Sequence, residues 1–141
     1  MGSAPYLGGG FGHFFVYAPN KLKYPINRYA MEVKRQLSVL DNRLADCEFI
    51  SGPTYSIADM AIWPWYGRLA LGRQYGKKAG AFLSVSDYSN VIRWATQLEQ
   101  REAVIRGQMV NRTSGDLSGQ LRERHSQEDF EFNTEDKISR P

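Results

Sequence analysis

The chain has 141 residues, 42% hydrophobic and 13% aromatic, with a formal net charge of +3. That length fits one domain with a core of roughly 100–110 residues. With no apolar run of about 18 residues and no charged-then-apolar leader, a cytoplasmic protein that neither spans a membrane nor enters a secretory route is expected. The charge is uneven: residues 111–141 hold five Lys/Arg against seven Asp/Glu, leaving 13 against eight for residues 1–110. A basic body can attract a small acidic ligand, but nothing interleaves basic and aromatic residues as nucleic-acid readers do, so nucleic-acid binding is not expected.

In chain order, residues 7–17 come first, with Gly8, Gly9, Gly10 and Gly12 set among Leu7, Phe11, Phe14, Phe15, Val16 and Tyr17. Glycine costs a helix about 1 kcal/mol each relative to alanine, so the segment is a poor isolated helix. It reads as a kinked helix whose glycines admit another segment or a ligand, or else as a flexible leader, although its aromatic content argues against exposure. Pro19 and Pro25 bracket a turn, and Pro25 suits the first turn of a helix. From there Ile26, Tyr29, Ala30, Val33, Leu37, Leu40 and Leu44 form an i, i+3/i+4 stripe over about five turns, the most secure element of the chain. Cys47, the single cysteine, excludes an intramolecular disulfide and suits a reducing setting. Its neighbours Asp46 and Glu48 raise a thiol's pKa, so a packed thiol is expected rather than a catalytic one.

The stretch Gly52-Pro-Thr-Tyr-Ser-Ile-Ala-Asp-Met-Ala-Ile62, followed by Trp63-Pro-Trp65, carries the strongest signal. Ser56 and Asp59 have the spacing of a capping box: the hydroxyl can accept from the backbone N–H of Asp59, and the carboxylate can reach back to the N–H of Ser56. The helix behind the box is apolar almost all round, which predicts a central, buried rod whose terminal amides must be satisfied internally. Pro64 predicts a kink near residues 60–63. Gly67, Gly72, Gly76 and Gly80 predict a fading helix and a loop over 75–80, followed by helices over about 87–100 and 102–110. Residues 111–141, with twelve charged residues and few apolar anchors, read as a wrapping or disordered tail in which the Asn111-Arg-Thr113 sequon goes unused. No segment alternates as a strand does, so the fold expected is all-α.

Reactive constellations are sparse. His13 and His125 are the only histidines and no Cys/His cluster accompanies them, so no metal site is expected. The run Gly8–Gly12 lacks the Lys-Ser/Thr and the strand of a phosphate loop, and no Gly-x-Ser-x-Gly elbow occurs. Capping accounts for Asp59, and core packing for Trp63 and Trp65. Two features remain: an apolar wall at Phe11–Tyr17, and Arg28 on the polar flank of the long helix. Arg28 is either a solvated cation or, if it points toward Phe11–Tyr17, a partner for a carboxylate or thiolate.

With the Ser56–Asp59 box, Ile26-Asn-Arg-Tyr29, Trp63-Pro-Trp65, Arg93-Trp94, Val110-Asn-Arg-Thr113, Arg122-x-x-His125 and Phe132–Lys137 in view, the chain resembles the α-helical C-terminal domain of cytosolic glutathione transferases. Within that superfamily it is most similar to the nu class, the glutathione-dependent disulfide-bond oxidoreductases. The resemblance implies a helical bundle over residues 1–110 with a truncated opening helix, an extended charged tail over 111–141, and a thioredoxin-like N-terminal domain that this chain lacks. It also implies glutathione as co-substrate, a small electrophilic or disulfide second substrate, and a homodimer in the complete protein. Carried over by position, Phe11, His13, Phe14 and Tyr17 line the second-substrate side, and Arg28 points at the glutathione sulfur or carboxylates and favours the thiolate. One departure is Arg101-Glu-Ala-Val104, where the family has proline second and this chain loses that helix-start signal. The alternative from another class is a non-catalytic glutathione-transferase-like interaction module.

Overall fold

The computed structural model describes residues 4–110, 112 and 115–121. Expectations placed on Asn111, Thr113, Arg122, His125 and the rest of 122–141 lie outside the described residues. The described chain divides into two compact units that meet in sequence between Leu98 and Glu99. The boundary expected from composition, 110/111, falls within the second unit.

The first unit is built on two long helices. The opening helix, Ala4–Tyr17, is wide, of π type, and closes with the Ala18 N–H on the His13 carbonyl at 2.7 Å. Its last carbonyls would be orphans, and the Lys21 ammonium satisfies those of Phe15 and Val16 at 3.1 and 3.0 Å, a cation placed where the helix dipole favours one. Helix α1, Lys23–Asp46, buries Ala30, Val33, Leu37, Leu40 and Leu44, as the stripe predicts. The two helices meet because glycine lets them: a Cβ on Gly10 would fall on the Tyr29 ring, and one on Gly12 on the Tyr75 ring. Segment 4–17 is therefore a packed helix rather than a leader.

Helix α2, Ile57–Ile62, begins at the capping box. The Ser56 hydroxyl accepts from the Ala58 N–H at 3.3 Å, and the Asp59 carboxylate accepts from the Ser56 N–H at 2.9 Å. The effect of Pro64 lies slightly later than the kink expected over 60–63. The rod widens to a π-type stretch over Trp63–Gly67 before a last turn, α3, Arg68–Ala70. Widening frees the proline ring from the carbonyl one turn back and absorbs its missing donor.

Two expectations are corrected. The rod is buried on one side only: Asp59, Trp63, Tyr66, Gly67 and Leu69 are inside, while Ile57, Met60, Ala61 and Pro64 face out. Residues 75–80 are not a loop, because helix α4 spans Gly76–Phe82. It starts after Tyr75, whose φ of 61° turns the chain sharply enough for a helix to follow a glycine-rich break. Helix α5, Ser89–Glu99, buries Val91, Trp94, Ala95 and Leu98. Its first amides are capped from α1, since Asp41 Oδ1 accepts from the Asn90 and Val91 N–H groups at 2.9 and 3.0 Å.

In the second unit, helix α6 spans Glu102–Met109. It forms without the family's proline, which removes only a start signal. A short 3-10 turn follows at Leu117–Gly119, with Asp116 accepting from the Ser118 N–H at 2.8 Å. Isolated bridges pair Phe49 with Gly52 and Val110 with Leu121, and no strand is formed among the described residues. The fold is all-α.

Candidate functional site

Of the four residues expected on the second-substrate side, Phe11, His13, Phe14 and Tyr17, one is packed away. Phe11 has no exposed surface. Its ring stacks on Phe15 at 4.9 Å and meets Phe82 and Tyr75 at 6.1 and 6.5 Å, so it holds the opening helix to α4 and offers nothing to a ligand. His13 is exposed and sits edge-on to Phe14 at 4.9 Å, and Phe14 stacks on Tyr29 at 5.6 Å. Tyr17, 68% exposed, packs edge-on to Tyr75 at 6.1 Å. The surface offered here is therefore His13, Phe14 and Tyr17, with Phe11 as the packing beneath.

Arg28 lies on α1 beside Tyr29, which carries the contact to the opening helix. Its side chain is 54% exposed, and the guanidinium pairs with Glu32 Oε2, one turn on, at 3.9 Å. Glu32 is the better-held member, with a side chain only 14% exposed. Its Oε1 accepts from Arg35 Nε at 3.0 Å and Nη2 at 2.5 Å, and from Gln36 Nε2 at 3.3 Å. The hydrogen bond from Arg35, then that from Gln36, hold the Glu32 carboxyl below its ordinary pKa, so it is an anion at neutral pH. Gln36 Oε1 in turn accepts from the hydroxyl of Tyr66 on the rod. Burial, with the Glu32 charge adding to it, pushes the Tyr66 phenol above its usual range, so that it remains a donor.

A cavity of about 450 Å3 opens beside this network, with Tyr6, Glu32, Arg35, Gln36 and Tyr66 at its polar part and Val39, Leu40, Ile50 and Ile62 at its apolar part. A second, of about 430 Å3, lies among Phe15, Lys21, Lys23, Ile26, Asn27 and Phe82. Neither is lined by Arg28, His13, Phe14 or Tyr17. Sequence reasoning missed Glu32, Gln36 and Tyr66. The spacing Arg28, Glu32, Gln36, four residues each, was a readable sign of the first two. Nothing local marks Tyr66, 30 residues further on.

The capping pair does more than close a helix. Asp59 is fully buried, and its carboxylate accepts from four donors. The Ile50 N–H and the Trp94 indole reach Oδ1 at 3.1 and 2.8 Å, and the Ser56 N–H and hydroxyl reach Oδ2 at 2.9 Å each. Burial raises its pKa, but the hydrogen bonds from Ile50, Trp94 and Ser56 outweigh this and leave it below the ordinary carboxylate value. Among the described residues no group of three or more His, Cys, Asp or Glu is placed to hold a metal ion, and no helix is long and apolar enough to cross a membrane.

Two long helices in contact with each other and a rod closed at its start by Ser56 and Asp59 form the frame on which these side chains stand. The glutathione S-transferase C-terminal domain family matches residues 24–96, and the chain belongs to that family. Over 97% of its length it is 57% identical to the disulfide-bond oxidoreductase YghU of Escherichia coli K12, of which it spans 47%. Among solved structures, the glutathione transferase YghU of Streptococcus pneumoniae, complexed with glutathione, superposes with a TM-score of 0.72 at 57% identity, over 75% of this chain and 40% of that one. A glutathione transferase from Burkholderia graminis, with two glutathione molecules per subunit, gives a TM-score of 0.67 at 38% identity, over 76% of this chain and 44% of that one. The chain thus spans about half the length of the relatives it matches.

Proposed function

We propose that this chain is the second-substrate-side part of a glutathione-dependent transferase or disulfide-bond oxidoreductase. The observation that carries the reading is the 57% identity to the E. coli disulfide-bond oxidoreductase along nearly the whole chain, joined to the glutathione present in the related solved structures. In this reading residues 1–110 are the helical domain and 111–141 an appended tail. The working enzyme is a cytoplasmic homodimer in which a thioredoxin-like domain carries most glutathione contacts.

The chemistry is thiol–disulfide exchange. A glutathione thiolate attacks one sulfur of the substrate disulfide, a mixed disulfide forms, and the other sulfur leaves as a thiolate that takes up a proton. A second glutathione thiolate attacks the glutathione sulfur of the mixed disulfide, releasing oxidised glutathione and the second substrate thiol. The Arg28 guanidinium, a permanent cation, favours the thiolate over the thiol. His13, Phe14 and Tyr17 give the substrate an aromatic surface with one polar edge.

In the full-length protein, Arg28→Ala is expected to lower glutathione-dependent disulfide reduction about tenfold or more, the scale of one charge-assisted contact in the transition state. Unchanged steady-state kinetics would remove Arg28 from the mechanism. Retention of the full-length protein on immobilised glutathione separates this reading from a non-catalytic interaction module, which would pass through.

A further inference from the structure

We propose that Glu32 is the positioning residue of Arg28, and that it is itself fixed to the central rod through Gln36 and Tyr66. The proposal rests on the reading of Arg28 given above, but its geometry stands by itself.

The donors and acceptors run in one direction only. Tyr66 is 5% exposed and its hydroxyl donates to Gln36 Oε1. With that oxygen occupied, the amide nitrogen of Gln36 is turned toward Glu32, and it donates to Oε1. Arg35 donates twice to the same oxygen. Three donors on Oε1 set the plane of the carboxylate and leave Oε2 to face Arg28. An exposed arginine on a helix otherwise samples several rotamers, and ordering it costs side-chain entropy. A carboxylate already held on its other oxygen supplies a fixed counter-charge one turn away, at ion-pair rather than hydrogen-bond distance, so the guanidinium is biased toward that side while its N–H fork can still reach an anionic ligand. Arg35 shares Glu32, so the trio Arg28–Glu32–Arg35 carries a net positive charge, and Glu32 orients Arg28 without cancelling it.

The chain of contacts also joins parts of one unit that are 30 residues apart in sequence: a phenol on the rod decides how an arginine on α1 stands. Tyr66→Phe keeps the ring and its packing but frees the Gln36 amide to rotate. Gln36→Leu removes the link outright. Glu32→Gln removes the charge that faces Arg28, and Glu32→Asp keeps the charge.

The test is side-chain NMR relaxation of the Arg28 Nε–H group in this chain, with the α1 backbone amides as an internal control. The expected result is a restrained Arg28 that becomes mobile in Glu32→Gln and partly mobile in Tyr66→Phe and Gln36→Leu, with the backbone unchanged and restraint recovered in Glu32→Asp. In the full-length enzyme the same loss should lower glutathione-dependent disulfide reduction about two- to fivefold in Glu32→Gln, the scale of one exposed ion pair, with activity recovered in Glu32→Asp. Equal Arg28 mobility in wild type, Glu32→Gln and Gln36→Leu overturns the proposal. If Arg28→Ala leaves turnover intact while these relaxation changes occur, the functional reading fails and the positioning stands. If Arg28→Ala is crippling and the relaxation is flat, only the positioning fails.

Discussion

The carboxylate of Asp59 shows how one side chain sets several elements at once. It closes the start of α2, holds the loop at Ile50 and anchors the Trp94 indole of α5. A buried anion with four donors is stabilised by them, whereas the same donors facing a neutral group are left underpaired. In Asp59→Asn the amide nitrogen would have to stand where either the Ser56 or the Ile50 N–H now donates. The expected loss is about 3 kcal/mol, read from urea denaturation of the two proteins. The linkage has a definite sign. The folded pKa lies below the unfolded value of about 3.9, so the contribution is complete above that value and is lost as pH falls through the depressed folded one. Asp59→Asn should therefore flatten the acid limb of stability against pH. A limb of unchanged steepness would show that other carboxylates control it. Spacing made the Ser56–Asp59 pair legible in the sequence, since both partners lie within one turn. Trp94, 35 residues away, was read only as part of a motif, because no local pattern records which distant donor a buried carboxylate will meet.

At the scale of elements, the opening helix is where sequence and packing diverge most informatively. Its glycines look alike in composition but face different neighbours. Gly9 is exposed, and a Cβ there would meet only the Ala4 carbonyl at 3.8 Å, whereas Gly10 lies against the Tyr29 ring. Gly9→Ala is therefore expected to stabilise the chain by up to about 1 kcal/mol through lower backbone entropy in the unfolded state. Gly10→Ala must push the Tyr29 ring off the helix and should cost about 1–3 kcal/mol. Matched urea titrations check both signs at once, and equal effects at the two positions would mean that the close approach of the helices is not what the glycines provide. The amphipathic stripe of α1 was fully legible because its period is a property of neighbours in sequence. The burial of Phe11 was not, since Phe82 and Tyr75 reach it from beyond α1 and the rod. The same limit hid helix α4: glycines predict a break, but the turn at Tyr75 lets the chain restart as a helix immediately after it.

At the scale of the molecule, the rod's outward face is the feature its sequence least prepares for. Ile57 is 82% exposed and Met60 53%, with Ala61 and Pro64 also exposed, the i, i+3, i+4, i+7 positions of one stripe. Hydropathy records that such positions favour cover, and it carries no information on whether the cover comes from the same chain. A contiguous apolar stripe in water attracts other apolar surface, including a second copy and hydrophobic probes. This chain should bind an environment-sensitive dye in its folded state and associate at high concentration. The variant Ile57→Glu/Met60→Glu isolates the cause, because neither side chain is part of the buried core. Ile57 is moreover the first residue of α2, where an added carboxylate faces the positive end of the helix and is favourable by about 0.3–1 kcal/mol. The double variant should therefore keep or raise the melting temperature while dye fluorescence falls severalfold and light scattering reports a smaller species. If the dye still binds at full strength, the rod's outward face is not the cause and the attracting surface lies among the other exposed apolar side chains, such as Tyr17, Tyr24 and Met31.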